Sequence, residues 1–432
     1  MRVFASLVLL VCAIAPGQQL TPVPPPSTGL PGHPFFILKT WVIGGQGDWD
    51  YLTMDPMARQ LFIAHGPTVQ VVDVETGAVA GTIKGMREAH QVLLDGDSGY
   101  GYVSDGQADL VRVFDRNSFQ IVASIPTGPS PRSMALDGAS GLLFVIGAAP
   151  SPAGAGTQPS ARTSTVQRSG AGSRGTPRGA ESTITVIDTG QRIPLAQIVL
   201  PGALGFAKGD GEGRVYVTVQ DQNQIMRLNA STINSFIKRI VDDQAGEKNQ
   251  ATQQFVQRKA GDQALHLDFT GNLPPEFRDA YPHSFSLDSN CQDPRALAID
   301  REHGRLFVAC SNFRMVVLNP GTDQTIAALP IGPGPDAIGY DANRGLIFTA
   351  NGGGDGSLTI IRQDVTDTYA VIQTLPTRQH ARTLAIDAST GAVYLTSVQY
   401  GAQMNTPFTN GSPAPLKVAP VDSSFQVIVV GN

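Results

Sequence analysis

The sequence predicts an all-β fold, a seven-bladed β-propeller with four-stranded blades. Three observations predict it. A strand–turn–strand phrase recurs seven times along 432 residues. In most copies the first strand ends in Asp and the turn closes on Gly four residues later. The chain carries 47 Gly and 31 Pro, which suits many short strands joined by tight turns. Repeats of ~42 residues with four strands each are propeller blades.

In chain order, Met1-Arg2-Val3-Phe4 opens an apolar run that ends at Ala15. One positive charge before an apolar stretch too short to span a bilayer predicts a signal peptide over 1–17, cleaved after Gly17. Cys12 invites a lipoprotein reading, but Val11 precedes it where a small residue is needed. Residues 18–34 are a Pro-rich, extended linker. The propeller is predicted over 35–432. Phe35–Ile43 reads as a strand with no partner immediately before it.

The predicted inner strands are Tyr51–Met54, Val92–Leu94, Met134–Leu136, Phe206–Lys208, Leu297–Ile299, Ile338–Tyr340 and Leu384–Ile386. Asp55, Asp95, Asp137, Asp300, Asp341 and Asp387 follow six of them, and Gly209 follows the fourth. Asp can accept bonds from the turn amides ahead of it, so these residues read as turn-formers. The seventh copy supplies an inner strand, a second strand and Ser424–Val430, and then the chain stops. Phe35–Ile43 is predicted to complete that blade and close the ring.

Two repeats are lengthened. Ala148–Glu181 is rich in Gly, Ser, Pro and Arg, and is predicted to be disordered. Asp243–Asn290 is polar and reads as a loop between a fourth strand and the next inner strand, with short helices. Gln399–Ser423 is a third long loop. All three are predicted on the face where inner strands begin, here called the top. Function concentrates on loops more than on scaffold.

Tyr216-Val217-Thr218-Val219, Phe348-Thr349-Ala350-Asn351 and the run Gly332 to Ala337 resemble the YVTN-type, YncE-like family of bacterial seven-bladed propellers. The resemblance extends over 35–432 apart from the insertions. It implies export and a binding or surface role, and carries over no catalytic residue.

Charged residues make up 16% of the chain and the net charge is −5, which gives no general case for a nucleic-acid partner. The residues leading into the inner strands should ring the top of the channel. They are Asp50, His90, Arg132, Leu204, Arg295, Asp336 and Arg382. Arg forks suit carboxylate or phosphate, and mutual ion pairing is the alternative. The ends of the second strands add His65, Asp105 and Asn351. His65, His90 and His380 could gather as a metal or general-base site. The chain has no HExxH, GxSxG, Walker or CxxCH motif. The glycine run Gly352–Gly356 lies between strands and reads as a turn.

These readings predict an exported, monomeric binding or scaffold protein without cofactor or resident metal. Its top face and channel mouth would take a protein, peptide, glycan or small anionic ligand. The alternative is a metal-dependent hydrolase or lyase of lactonase-like propeller type, built on Asp50, His65, His90, Asp105, Asn351 or Asp336. Of 3 Cys, the signal removes Cys12. The remaining pair, Cys291 and Cys310, is predicted to form a disulfide, because an exported chain favours pairing over two buried thiols.

Overall fold

The structure is a computed structural model. It describes residues 34–45, 48–96, 98–148, 180–245, 256–257, 264–271, 278, 280–364, 367–403, 417–421 and 423–432. The predicted signal peptide, all but the last residue of the linker and the body of the first insertion lie outside them.

The blade strands follow from side-chain alternation and β-branched content. Ile193–Pro201, the outer strand of blade three, alternates buried and half-buried residues, as a strand with one covered face must. The more central strands are apolar and enclosed on both faces. Gln426–Gly431 is buried along its whole length. Seven antiparallel blades result. Their inner strands touch in sequence, and the seventh, Thr383–Asp387, touches the first, Trp49–Asp55.

The ring closes as predicted. Phe36–Val42 pairs antiparallel with Gln426–Gly431, with Phe36 opposite Gly431 and Val42 opposite Gln426. Trp41 stacks on Tyr394 at 6.0 Å. Phe35 meets Phe348 edge-on at 5.4 Å. The Gln373 amide accepts from the Phe35 N–H at 2.9 Å and donates to its carbonyl at 2.7 Å.

The Asp residues that end the inner strands build their own turns. Asp55 Oδ1 accepts from the amides of Met57 and Ala58, both at 3.1 Å. Asp387 Oδ1 accepts from the Ser389 amide at 3.0 Å. They also join blade to blade. Arg116 of blade two pairs with Asp55 of blade one, and Arg59 of blade one pairs with Asp387 of blade seven. Gln363 of blade six donates to Asp300 of blade five at 2.8 Å. Blade four keeps the device with its Asp one place later. Asp210 Oδ1 accepts from Glu212 N at 2.8 Å and Arg214 N at 3.0 Å. Gly209 precedes it because a Cβ there would stand 2.8 Å from the Leu136 carbonyl oxygen.

The second insertion departs from the sequence reading. The third strand of blade four, Gln224–Asn229, runs into a helix, Ala230–Ala245, and the fourth strand is His283–Ser286. The inserted segment therefore joins third to fourth strand and leaves from the bottom face, not the top. Asn229 caps the helix by accepting from the Thr232 amide at 3.0 Å. Ile233, Phe236, Ile237 and Ile240 form its apolar stripe and join a core shared with blades three and four. Leu265–Asp268 then pairs parallel with Ile193–Pro201, and Val256–Gln257 pairs with it, so blade three becomes six-stranded. On the top face, Tyr400–Gln403 and Lys417–Pro420 form a two-stranded arm.

Cys291 and Cys310 form the predicted disulfide, with Cα atoms 5.3 Å apart. Both sulfurs are buried with Phe285, Leu287, Val308 and Val316, so the bond belongs to the core between blades four and five as well as to the loop. Closing a loop of this size stabilises by about 3 kcal/mol on the chain-entropy model.

Burial opposes ionisation of Asp387, but hydrogen bonds from Ser389, Arg59 and Thr390 outweigh it and hold its pKa at about 2. The depressed folded value means that this stabilisation is present above the unfolded pKa of ~3.9 and lost as pH falls through the folded one. Asp387→Ala should lower stability at pH 7 by about 3 kcal/mol, because it leaves Arg59 without its buried partner. Asp387→Asn should weaken the acid dependence of the thermal melt below pH ~4. Melts of both variants that overlay the parent at every pH would contradict this role.

Candidate functional site

The channel mouth is built by β-bulges. Pairing registers shift between Trp49 and Leu52, Ala89 and Val92, Leu204 and Ala207, Pro294 and Ala296, and Pro335 and Ala337. A bulge frees a residue from the ladder and re-aims its side chain. The freed positions hold Asp50, Tyr51, His90, Phe206, Arg295 and Asp336. In blade four the register matches Gly205 to Asp50 and Phe206 to Tyr51. The ring position there is thus Gly205, not the predicted Leu204.

Asp50, Arg132, Glu181, Arg295 and Asp336 line a top cavity of about 300 Å³. Its floor is an aromatic pair that the sequence reading did not single out. Tyr51 of blade one and Phe206 of blade four meet across the channel at 5.3 Å. Both also line a lower cavity of about 320 Å³, so they divide the channel in two. The lower cavity is mainly apolar but contains Lys208. Desolvation, with Arg301 second, pushes the Lys208 pKa down, although its side chain is exposed to the channel space.

The charges at the mouth are largely paired. His90 Nδ1 is 2.8 Å from Asp50, and Nε2 is 3.5 Å from Glu88. Burial opposes a charge on His90, but the two carboxylates outweigh it and raise the pKa above the ordinary imidazole value. Arg382 Nε lies 3.5 Å from Asp336. Its guanidinium also covers Trp49 at 5.1 Å and donates to the Trp49 carbonyl at 3.1 Å. Arg295 pairs at 2.5 Å with Asp293, in a half-exposed contact. Arg132 differs from the rest. No carboxylate among the described residues is in ion-pair contact with it, and its field favours the charged form of Glu88 and partly offsets the rise at His90.

The residues at the ends of the second strands are engaged by loop backbone or by the third strand. Asp105 is fully buried, accepts from the amides of Arg87 and Glu88 at 2.8 and 2.9 Å, and pairs with Arg112 at 3.1 Å. Asn351 donates to Thr359 at 3.0 Å and is fully buried. His65 bonds Gln70 at 2.8 Å and packs on Phe425 at 4.2 Å. Ser397 and Cys310 occupy the matching places in their blades. Ser397 donates to the Gln379 carbonyl at 3.0 Å, and Cys310 carries the disulfide.

His380 packs on Tyr400 at 4.5 Å, and desolvation followed by Arg382 lowers its pKa. His65, His90 and His380 therefore each have separate partners. Among the described residues, no group of three His, Cys, Asp or Glu gathers as a metal site would.

No protein-family model matches the chain, and no curated protein matches it either. Solved structures do. A chain of the structure described as "Crystal Structure of Mitotic Checkpoint Complex" has a TM-score of 0.57 and 10% identity, covering 90% of this chain and 95% of that one. The structure of U3-55K matches with a TM-score of 0.57 and 10% identity, covering 91% and 98% respectively. At this identity the likeness is one of fold. The chain is a seven-bladed β-propeller. Among the described residues, no helix is long and apolar enough to cross a membrane.

The His90–Asp50 pair can be tested by titration. His90 ring resonances should titrate above the ordinary value of ~6.5, and Asp50→Asn should bring them down. Because the folded pKa is raised, the pair stabilises fully below the unfolded value, and the contribution disappears as pH rises through the folded one. A midpoint at or below ~6.5 in the parent protein would rule the pairing out.

Proposed function

We propose that this is an exported binding propeller whose top cavity captures an anionic group, borne by a protein, peptide, glycan or small molecule. Arg132 carries the reading. It lines the cavity with Asp50, Glu181 and Asp336, and no carboxylate among the described residues is in ion-pair contact with it. His90 and Arg382 are engaged by Asp50 and Asp336, which leaves Arg132 and the half-exposed Arg295 to meet a ligand. A guanidinium offers a planar fork that matches carboxylate or phosphate oxygens. The aromatic floor sets the depth, so a ligand reaches Tyr51 and Phe206 and stops.

We place the protein with the YVTN-type, YncE-like propellers on Tyr216–Val219, Phe348–Asn351 and Gly332–Ala337. Export is supported by the apolar leader and by the disulfide, since disulfides persist in oxidising compartments. The protein acts as a monomer and without nucleic acid in this reading.

A fluorescein-labelled oligoglutamate peptide is a suitable probe, read by anisotropy. The parent should bind it, and Arg132→Glu should weaken binding at least tenfold, a loss of about 1.4 kcal/mol or more, with an unchanged melt. Equal affinity in both proteins would refute the anion site.

A further inference from the structure

We infer that the cleft between blades four and five on the bottom face is a second binding site, one that takes a phosphorylated small molecule. It is independent of the channel-mouth reading and shares no residue with it. The cleft encloses about 570 Å³, a volume within the ~300–1,000 Å³ of small-molecule sites. Arg214, Arg227, Arg305, His283 and His303 line it, and among the described residues no Asp or Glu does. In a chain with a net charge of −5, such a one-sided lining is a local departure from composition.

Most of these side chains are held by carboxylates. Asp367 holds Arg305 through two bonds of 2.7 and 2.8 Å. Asp300 is 2.8 Å from His303, and Asp323 is 3.0 Å from His283. Arg305 also donates to the carbonyls of His303 and Gly304 at 2.7 and 3.2 Å, so a ligand would be met chiefly by Arg214 and Arg227. Arg214 lies 3.6 Å from Asp210, beyond hydrogen-bond reach, and Asp210 Oδ1 already serves the turn amides. Arg227 has no carboxylate in ion-pair contact among the described residues. Its guanidinium lies over Phe285 at 5.3 Å and gives one bond of 3.3 Å to the Pro320 carbonyl. The rest of its fork has no hydrogen-bond acceptor among the described residues.

The geometry favours phosphate over carboxylate. Three guanidinium groups converge on the cleft, and a phosphate monoester presents three acceptor oxygens where a carboxylate presents two. The capped end of the helix Ala230–Ala245 also abuts the cleft through Asn229 and Thr232, and adds positive potential of the same sign. Tyr281, 38% exposed, supplies ring surface for the organic part of the ligand. The insertion in blade four provides Tyr281 and the helix start. It thereby turns a seam between two blades into an enclosed cleft.

Calorimetry on the full chain tests this with AMP, glucose 6-phosphate, inorganic phosphate, adenosine and glucose as probes. At least one phosphate ester should bind, and adenosine and glucose should not. A preference between AMP and glucose 6-phosphate then identifies the organic part. Arg227→Gln should weaken ester binding about tenfold or more with an unchanged melt, whereas Arg132→Glu should leave it unaltered. Failure of both esters at millimolar concentration, binding of inorganic phosphate alone, or full affinity in Arg227→Gln would each overturn the proposal. Loss of oligoglutamate binding in Arg132→Glu with ester binding intact separates this site from the channel mouth.

Discussion

The pairing of Phe36–Val42 with Gln426–Gly431 is the constraint on which the ring depends. The strand nearest the N-terminus completes the blade nearest the C-terminus as its outermost strand. The closure is held at three levels. At the top, Arg382 of blade seven donates to the Trp49 carbonyl of blade one. In the middle, Trp49, Leu61, Ile63, Tyr394, Val427 and Val429 share one buried cluster. At the bottom, Arg59 meets Asp387. The top cavity needs all of this, because residues from blades one, three, four, five and six line it together.

The two faces use the same residue types for different ends. On the bottom, each Asp sits at a ladder terminus, close to turn amides and a neighbouring blade, so its oxygens are committed within the protein. On the top, Asp50 and Asp336 sit on bulges that point them into open space. They restrain His90 and Arg382, whereas Arg132 has no carboxylate in ion-pair contact among the described residues. The difference lies in backbone geometry and not in residue type. Scaffold rigidity below and an adaptable polar rim above are the usual division in folds that bind through one end.

Most of the fold was legible because its signals are local. Asp at the end of an inner strand and Gly four residues on are chemical requirements of one turn, so they repeat visibly. The spare strand at Phe35–Ile43 could be matched to the incomplete last blade by counting alone. The location of the second insertion was not legible. His283–Ser286 is short and polar, without the alternation that marks a strand. The helix before it did announce itself, through Ile233, Phe236, Ile237 and Ile240 at helical spacing. The aromatic floor was hidden by a shift of one residue. Aligning blade four on Gly209 separates Phe206 from Tyr51, whereas aligning on Asp210 brings them to the same position. His65, Asp105 and Asn351 were recognisable as equivalent polar positions, but their bonds, to the third strand for His65 and Asn351 and to loop amides for Asp105, depend on tertiary contacts that spacing does not encode.

Amide hydrogen exchange across the closing strand tests the account most directly. If Phe36–Val42 is an integral strand of blade seven, its ladder amides should exchange together with those of Gln426–Gly431, by the same cooperative opening and with similar protection. Exchange of Phe36–Val42 at unprotected rates while Gln426–Gly431 stays protected would contradict ring closure, and with it the assembly of the channel mouth.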